Sequence, residues 1–253
     1  MNIRVDGKVA LVTGGGTGIG KAIALELAQS GASVVVHYHA SEQAAMDVME
    51  QITASGGKAI AVQADVTNKE QVQCLVQTSI EHFGRIDILV NNAGDMIQRC
   101  AIVDMPEDLW DAIMALNVKG VFLVTQAVLP MMVRQGSGNI VNISSIAARS
   151  GGGGHSVAYA TAKGAVSTFT RGLAKEVVKQ GIRVNAVAPG ATLTRFQERH
   201  STPEKIAQFT KETPVGRCGL AEDMVGAVLY LVSDYASFVV GETIDVNGGR
   251  FMS

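Results

Sequence analysis

The chain has 253 residues, 47% of them hydrophobic and 17% charged, with 21 Lys and Arg against 23 Asp and Glu. That length and apolar content allow a sizeable buried core and exclude general disorder. The even charge balance, without a Lys/Arg cluster, argues against nucleic acid as a partner. No run reaches about 18 uninterrupted apolar residues, so no membrane span is expected, and the first residues lack a signal-peptide pattern. Cys74, Cys100 and Cys218 are odd in number and form no metal-ligand spacing, so the expectation is reduced thiols in a cytoplasmic protein without a bound metal.

In chain order, short β-branched runs at 9–13, 33–38, 59–63, 86–90, 139–143, 182–188 and 243–246 read as strands. Most are nearly continuous in apolar residues, as parallel strands covered on both faces must be. Helical patterns lie between them at 18–30, 41–55, 69–83, 109–134, 156–179 and 222–233, and Gly31, Gly56, Gly84 and Gly181 each follow one, where a helix-ending glycine belongs. Repeated β-α-β units with right-handed crossovers predict an α/β fold: one doubly wound parallel sheet of about seven strands with helices on both faces, over a single domain 1–253. Three segments break the rhythm, at 95–106, 147–155 and 190–214, all after carboxyl ends of strands, where ligands bind in such sheets. The last suits a lid over a substrate, with a short helix from Pro203.

Thr13-Gly14-Gly15-Gly16-Thr17-Gly18-Ile19-Gly20 joins the first strand to the first helix. A glycine turn there brings backbone N–H groups and the positive end of a helix close to a pyrophosphate. The absence of Lys-Ser/Thr disfavours a P-loop. Asp65-Val66 after the third strand places a carboxylate where an adenine amino group could donate, and Asn91-Asn92-Ala93-Gly94 ends the fourth strand with small residues beside a ribose. Tyr159 and Lys163 are four apart in a predicted helix and share a face. A tyrosine acts as acid or base near neutral pH only if a nearby positive charge favours its phenolate.

These motifs resemble those of the short-chain dehydrogenase/reductase family, whose T-G-x-x-x-G-x-G turn, N-N-A-G segment and Y-x-x-x-K pair stand at 13–20, 91–94 and 159–163. The resemblance spans nearly the whole chain. It implies a Rossmann-type fold and an NAD(P)-dependent oxidoreductase interconverting a carbonyl and a secondary alcohol. It further implies that Ser145 bonds the substrate oxygen, Tyr159 exchanges its proton, Lys163 tunes Tyr159 and binds the nicotinamide ribose, and Asn117 helps hold a water in a proton relay. Ser144 competes with Ser145 for the serine role. Gly14, Gly16, Thr17, Gly18 and Ile19 would hold the pyrophosphate. Asp65, Val66, Asn92, Ala93 and Gly94 would line the adenosine and ribose site, and Pro189, Gly190, Thr192 and Thr194 would hold the carboxamide.

Tyr38 stands at the family's acidic, NAD-selecting position and 36–41 contains no acid, so Tyr38, His39 and Ser41 suggest NADP over NAD. Asp95, Gln98, Arg99, Arg149, His155, Arg195, Arg199 and His200 in the irregular segments suit a small polar hydroxy or oxo substrate of the sugar or polyol kind. A 3-oxoacyl thioester is the alternative, and a non-catalytic NADP sensor is a weaker one. Phe122, Val124, Val128, Met132, Val166 and Phe169 exceed what one core face needs, and the resemblance implies a homotetramer.

Overall fold

The structure, a computed structural model, describes residues 3–252. Seven parallel strands form one sheet: β1 (Val9–Val12), β2 (Ser33–Tyr38), β3 (Lys58–Gln63), β4 (Ile88–Asn91), β5 (Gly138–Ile143), β6 (Ile182–Pro189) and β7 (Thr243–Val246). Their order is β3-β2-β1-β4-β5-β6-β7. Chain direction across the sheet therefore reverses between β1, whose Ala10 is in register with Ile88, and β4. At that reversal the loops after neighbouring strands part to opposite sides and leave a crevice at the carboxyl edge.

Helices cover both faces: α1 (Gly18–Gln29), α2 (Glu42–Ala54), α3 (Lys69–Phe83), α4 (Glu107–Met114), α5 (Gly120–Gln135), α6 (Ala147–Ser150), α7 (Val157–Val177), α8 (Arg195–His200), α9 (Pro203–Glu212) and α10 (Val225–Val232). Alternate strand residues point to opposite faces. Ala10, Val12, Ile88 and Val90 pack with Ile23, Leu27, Val48, Ile52 and Leu231 of α1, α2 and α10. Leu11, Leu89 and Ile140 pack with Leu75, Val128, Met132 and Leu173 of α3, α5 and α7. Each Leu or Ile so buried is worth roughly 1.5–3 kcal/mol over an exposed one. Gly31, Gly56, Gly84 and Gly181 all have positive φ, as expected of helix-ending glycines.

The structure departs from the sequence reading in places that matter. The helix expected over 109–134 is a rod in two parts, α4 and α5, joined by a π-helical turn at Ala115–Lys119 that carries Asn117. Such wider turns recur at functional sites because they shift one residue out of the helical register. By length and composition alone, 107–135 would pass for a membrane span. Part of its apolarity is instead spent on the core: Val124, Val128 and Met132 are core residues, as is Val166 on α7. Of the six residues expected at an interface, only Phe122 is exposed, at 42%, while Phe169 is half-buried against the core. The segments 147–155 and 190–214 also contain short helices, α6 and α8, too short to leave a periodic signature.

Candidate active site

The crevice is a cavity of about 690 Å³ at the carboxyl ends of the strands. The first strand and the fourth are pinned together at its floor. Thr13 Oγ1 accepts from the N–H groups of Asn92 (2.9 Å) and Ala93 (3.0 Å), and Asn92 Nδ2 donates to the Thr13 carbonyl (2.9 Å). Asn92 is thus a brace of the glycine turn as well as part of the cavity wall. At Gly20 a Cβ would stand 2.2 Å from the Gly14 carbonyl oxygen, so only glycine lets α1 start so close to the turn. Thr17, the N-cap of α1, makes no side-chain cap, and with Gly14, Gly18 and Ile19 it lines the cavity. An uncapped helix start there offers N–H donors and a partial positive charge to an anion.

His37 belongs to none of the sequence motifs. It is fully buried in β2: Nδ1 accepts from Gly14 N–H (3.0 Å), and Nε2 lies 2.9 Å from the Ala64 carbonyl, which fixes the proton on Nε2. Burial holds the imidazole neutral and lowers its pKa to about 4, against opposition from the Ala64 carbonyl. The signal available in sequence was position: His37 lies amid the apolar run of a strand buried on both faces.

On the other side of the crevice, β5 and α7 supply the reactive groups. Both serines border the cavity, but Ser144 is buried and bonded to the Lys163 carbonyl (3.1 Å) and Ser167 Oγ (2.8 Å), whereas Ser145 hydrogen-bonds Tyr159 and accepts from Ala147 N–H (3.1 Å). The geometry therefore separates the two serines that the sequence left in competition. Tyr159 and Lys163, one turn apart on α7, both line the cavity, with Lys163 Nζ 5.7 Å from the Tyr159 ring centre. Lys163 Nζ also donates to the Ile143 carbonyl (2.9 Å), and burial lowers its pKa to about 8. Burial pushes the Tyr159 phenol up, Ser145 opposes that through a hydrogen bond, and the Asp95 charge adds to it. The protein's own groups thus hold Tyr159 protonated.

Asn117 Nδ2 donates to the carbonyls of Asp95 (2.7 Å) and Ile113 (2.9 Å), while its buried Oδ1 has no hydrogen-bond partner among the described residues. An orphaned buried acceptor is costly unless a water or ligand completes it. Oδ1 faces Gly94: a Cβ there would lie 2.7 Å from Oδ1 and 3.1 Å from Lys163 Nζ. The bare backbone at 94 keeps open the space between these two groups, which fits a ribose and an ordered water. With the uncapped start of α1, it makes the crevice suited to a dinucleotide.

Pro189 at the end of β6 and Gly190, Thr192 and Thr194 beyond it line the cavity, and a Cβ on Gly18 would lie 3.3 Å from Thr194 Cβ, so the two loops meet across the cleft. The expected adenosine residues are dispersed. Ser41 lines the cavity; Gly16 packs on α2, where its Cβ would stand 3.0 Å from Ala45 N. Asp65 Oδ1 accepts from Thr67 N–H and Oγ1 (both 2.8 Å), and Val66 is buried against Gly120. Burial raises the pKa of the Tyr38 phenol, and the charge of Glu42 and a hydrogen bond to it add to the rise. That acid lies one residue beyond the acid-free stretch 36–41. His39, whose carbonyl accepts from Gln63 Nε2 (3.2 Å), follows Tyr38 at the end of β2.

Residues of the segment 190–214, where a lid is expected, line the reactive end of the cavity. Phe196 of α8 packs at a tilt against Tyr159 (centroids 5.5 Å apart) and edge-on against His200 (4.8 Å). His200 Nε2 and Arg199 Nη1 both bind the Asp95 carboxylate, at 2.5 and 2.7 Å. Asp95 therefore ties α8 to the end of β4, directly beside Asn117.

Residues 14–250 match the family described as "Enoyl-(Acyl carrier protein) reductase". The chain is 44% identical over 246 residues to a 3-oxoacyl-[acyl-carrier-protein] reductase of Synechocystis, covering 97% of each chain. Among solved structures, it is similar to a gluconate 5-dehydrogenase from Burkholderia cenocepacia in complex with NADP and tartrate, with 35% identity, TM-score 0.92 and 98% and 97% of the two chains covered. A 7α-hydroxysteroid dehydrogenase complexed with NADH and 7-oxo glycochenodeoxycholic acid matches at 39% identity and TM-score 0.93, over 98% and 96% of the two chains.

Proposed function

The chain belongs to the short-chain dehydrogenase/reductase family, as an NAD(P)-dependent oxidoreductase, and from that premise we propose that it interconverts a carbonyl and a secondary alcohol on a small polar substrate of the sugar or polyol kind. The observation that carries the reading is the wall facing Tyr159. Asp95, Arg99, Arg199 and Glu198 line the same cavity as Ser145 and Tyr159.

When bound, the dinucleotide supplies or takes the hydride at the substrate carbon. Tyr159, held protonated by the surrounding protein, gives its proton to the carbonyl oxygen in reduction and recovers it in oxidation. Ser145 donates a hydrogen bond to the same oxygen and orients it. Lys163, anchored through Ile143, places its charge below the Tyr159 ring and lowers the cost of the phenolate left behind. Asn117 Oδ1, free to accept, holds the water that returns a proton from solvent towards Lys163. Thr17, Gly18 and Ile19 would hold the pyrophosphate at the start of α1, and Thr192 and Thr194 would hold the carboxamide. Tyr38, His39 and Ser41 select NADP.

A second reading, reduction of a 3-oxoacyl thioester, is favoured by the 44% identity to the Synechocystis reductase. The test is the initial rate of NADPH and NADH oxidation with a panel of keto sugars and polar ketones beside an acetoacetyl thioester. Turnover of the polar ketones with NADPH, and none of the thioester, supports the first reading; the opposite pattern replaces it with the second. We further propose a homotetramer, with the exposed Phe122 and Val133 of α5 and the fully exposed Phe238 before β7 at its interfaces. Light scattering at micromolar protein should show four protomers, and a monomer would refute it.

A further inference from the structure

Arg99 is half-buried in the wall of the reactive cavity, on the segment that leaves β4. Its Nε donates to the His200 carbonyl (2.8 Å) at the end of α8, and its Nη1 to the Gly154 carbonyl (3.0 Å) in the glycine-rich stretch before α7. One guanidinium thus knits together all three irregular segments around the cavity. Both acceptors are neutral carbonyls, and no carboxylate partner of Arg99 exists among the described residues. The contrast with its neighbours is sharp. Arg199 is paired with Asp95 (2.7 Å) and Arg250 with Glu212 (2.5 Å), although both line the same cavity, while Arg195, which lines it too without an ion pair among the described residues, is exposed.

Burial disfavours the charged form of Arg99, and burial first, with the Arg99 charge after it, lowers the pKa of Lys205 on α9. The corner formed by Arg99 and Lys205 therefore carries positive charge without an internal counter-ion. A half-desolvated guanidinium costs free energy unless an anion completes it. The backbone presenting it is itself unusual: Ile97, two residues before Arg99, and His155, next to the Gly154 whose carbonyl Arg99 binds, are the non-glycine residues with positive φ among those described, both at +62°. The His155 carbonyl accepts from Cys100 N–H (3.0 Å), locking the two together. Strain of this kind persists only where surrounding structure enforces it, and it collects at ligand-binding walls.

We infer that Arg99 is a specificity-determining residue that binds a carboxylate of the substrate, so that the compound reduced or oxidised at Tyr159 is a hydroxy or oxo acid, of the sugar-acid kind, rather than a neutral sugar. This rests on the polar-substrate reading above and narrows it. Nη2 and the second Nη1 hydrogen remain to grip an anion while Nε and Nη1 hold the lid and the glycine stretch, so substrate binding and lid position are coupled through one side chain.

The experiment uses matched pairs that share a ketone and differ in one group: 5-keto-D-gluconate beside L-sorbose, and 2-keto-D-gluconate beside D-fructose, in which a hydroxymethyl group replaces the carboxylate. The quantity read is the ratio of kcat/KM for acid over neutral sugar, in which any general loosening of the lid cancels. The wild-type protein should favour one acid by more than about 10-fold, as a charge-assisted pair implies. Arg99→Gln should collapse that ratio, and Arg99→Lys, which keeps the charge and loses the fork, should restore part of it. Fluorescence titration with NADPH verifies that each variant is folded. An unchanged ratio in Arg99→Gln, or a wild-type protein that reduces the neutral sugars as well as the acids, overturns the inference and leaves the polar-substrate reading standing. Reduction of the acetoacetyl thioester alone overturns both.

Discussion

His37 gives a stability prediction with a defined pH window. Its pKa falls from an ordinary 6.5 to about 4 in the folded chain, because burial penalises the imidazolium. Folding therefore favours the neutral ring. The stability it contributes is fully present above pH 6.5 and is lost as the pH falls towards about 4, where both folded and unfolded forms carry the proton. The whole difference amounts to about 3 kcal/mol, and about 2 kcal/mol of it should be gone between pH 7 and pH 5. Protonation also turns Nδ1 from an acceptor into a donor facing the Gly14 N–H, so the glycine turn loses its brace as stability falls. His37→Gln keeps one acceptor and one donor at nearly the same spacing but does not titrate. We expect it to cost about 1 kcal/mol at pH 7, the worth of an imperfect hydrogen bond. The assay is urea unfolding followed by circular dichroism at pH 7, 6 and 5, at one protomer concentration because association shifts apparent stability. The wild-type protein should lose about 2 kcal/mol more than His37→Gln between pH 7 and pH 5. Parallel curves would refute the reasoning and mean that the imidazole is not held neutral.

Tyr159→Phe removes the only phenol in the reactive wall; turnover should fall by about 10²–10⁴-fold while NADPH binding by fluorescence stays within a few-fold, and retained turnover would remove Tyr159 from the proton step. Gly94→Ala drives a methyl group to 2.7 Å from Asn117 Oδ1 and 3.1 Å from Lys163 Nζ, so dinucleotide affinity should weaken at least about 10-fold with little change in melting temperature; unchanged affinity would show that no ribose enters there. Asp95→Asn weakens the tie to Arg199 and His200, and limited proteolysis should then cut within 190–214 faster than in the wild-type protein; equal cutting would mean that α8 is held by Phe196 packing alone. Glu42→Gln removes the acid that bonds Tyr38, so the ratio of kcat/KM for NADPH over NADH should rise, and a constant ratio would place Glu42 outside cofactor selection.

The sequence by itself determined the sheet, the crevice and most of its lining. Continuous apolar runs at β1, β2 and β4 admit only strands buried on both faces, and a helix-ending glycine such as Gly84 marks its boundary because positive φ is cheap only there. Tyr159 and Lys163 were legible for a similarly local reason: a four-residue spacing in a helix puts two side chains on one face. Tertiary structure decided whatever depends on which segments meet. It made His37 a buried brace rather than a surface residue, since only the approach of the glycine turn and Ala64 gives both ring nitrogens a partner. It set Ser144 on Ser167 and Ser145 against Tyr159, a division no spacing between adjacent residues encodes. It moved Asn117 into a wide helical turn under Gly94, and it turned Val124, Val128 and Met132 inward. Periodicity reports that a helix has apolar faces; whether another layer of the same chain or a second copy covers them is a non-local fact. The tie between Asp95 and His200 joins residues 105 positions apart, and such contacts exist only once the sheet has brought the two loops to one edge.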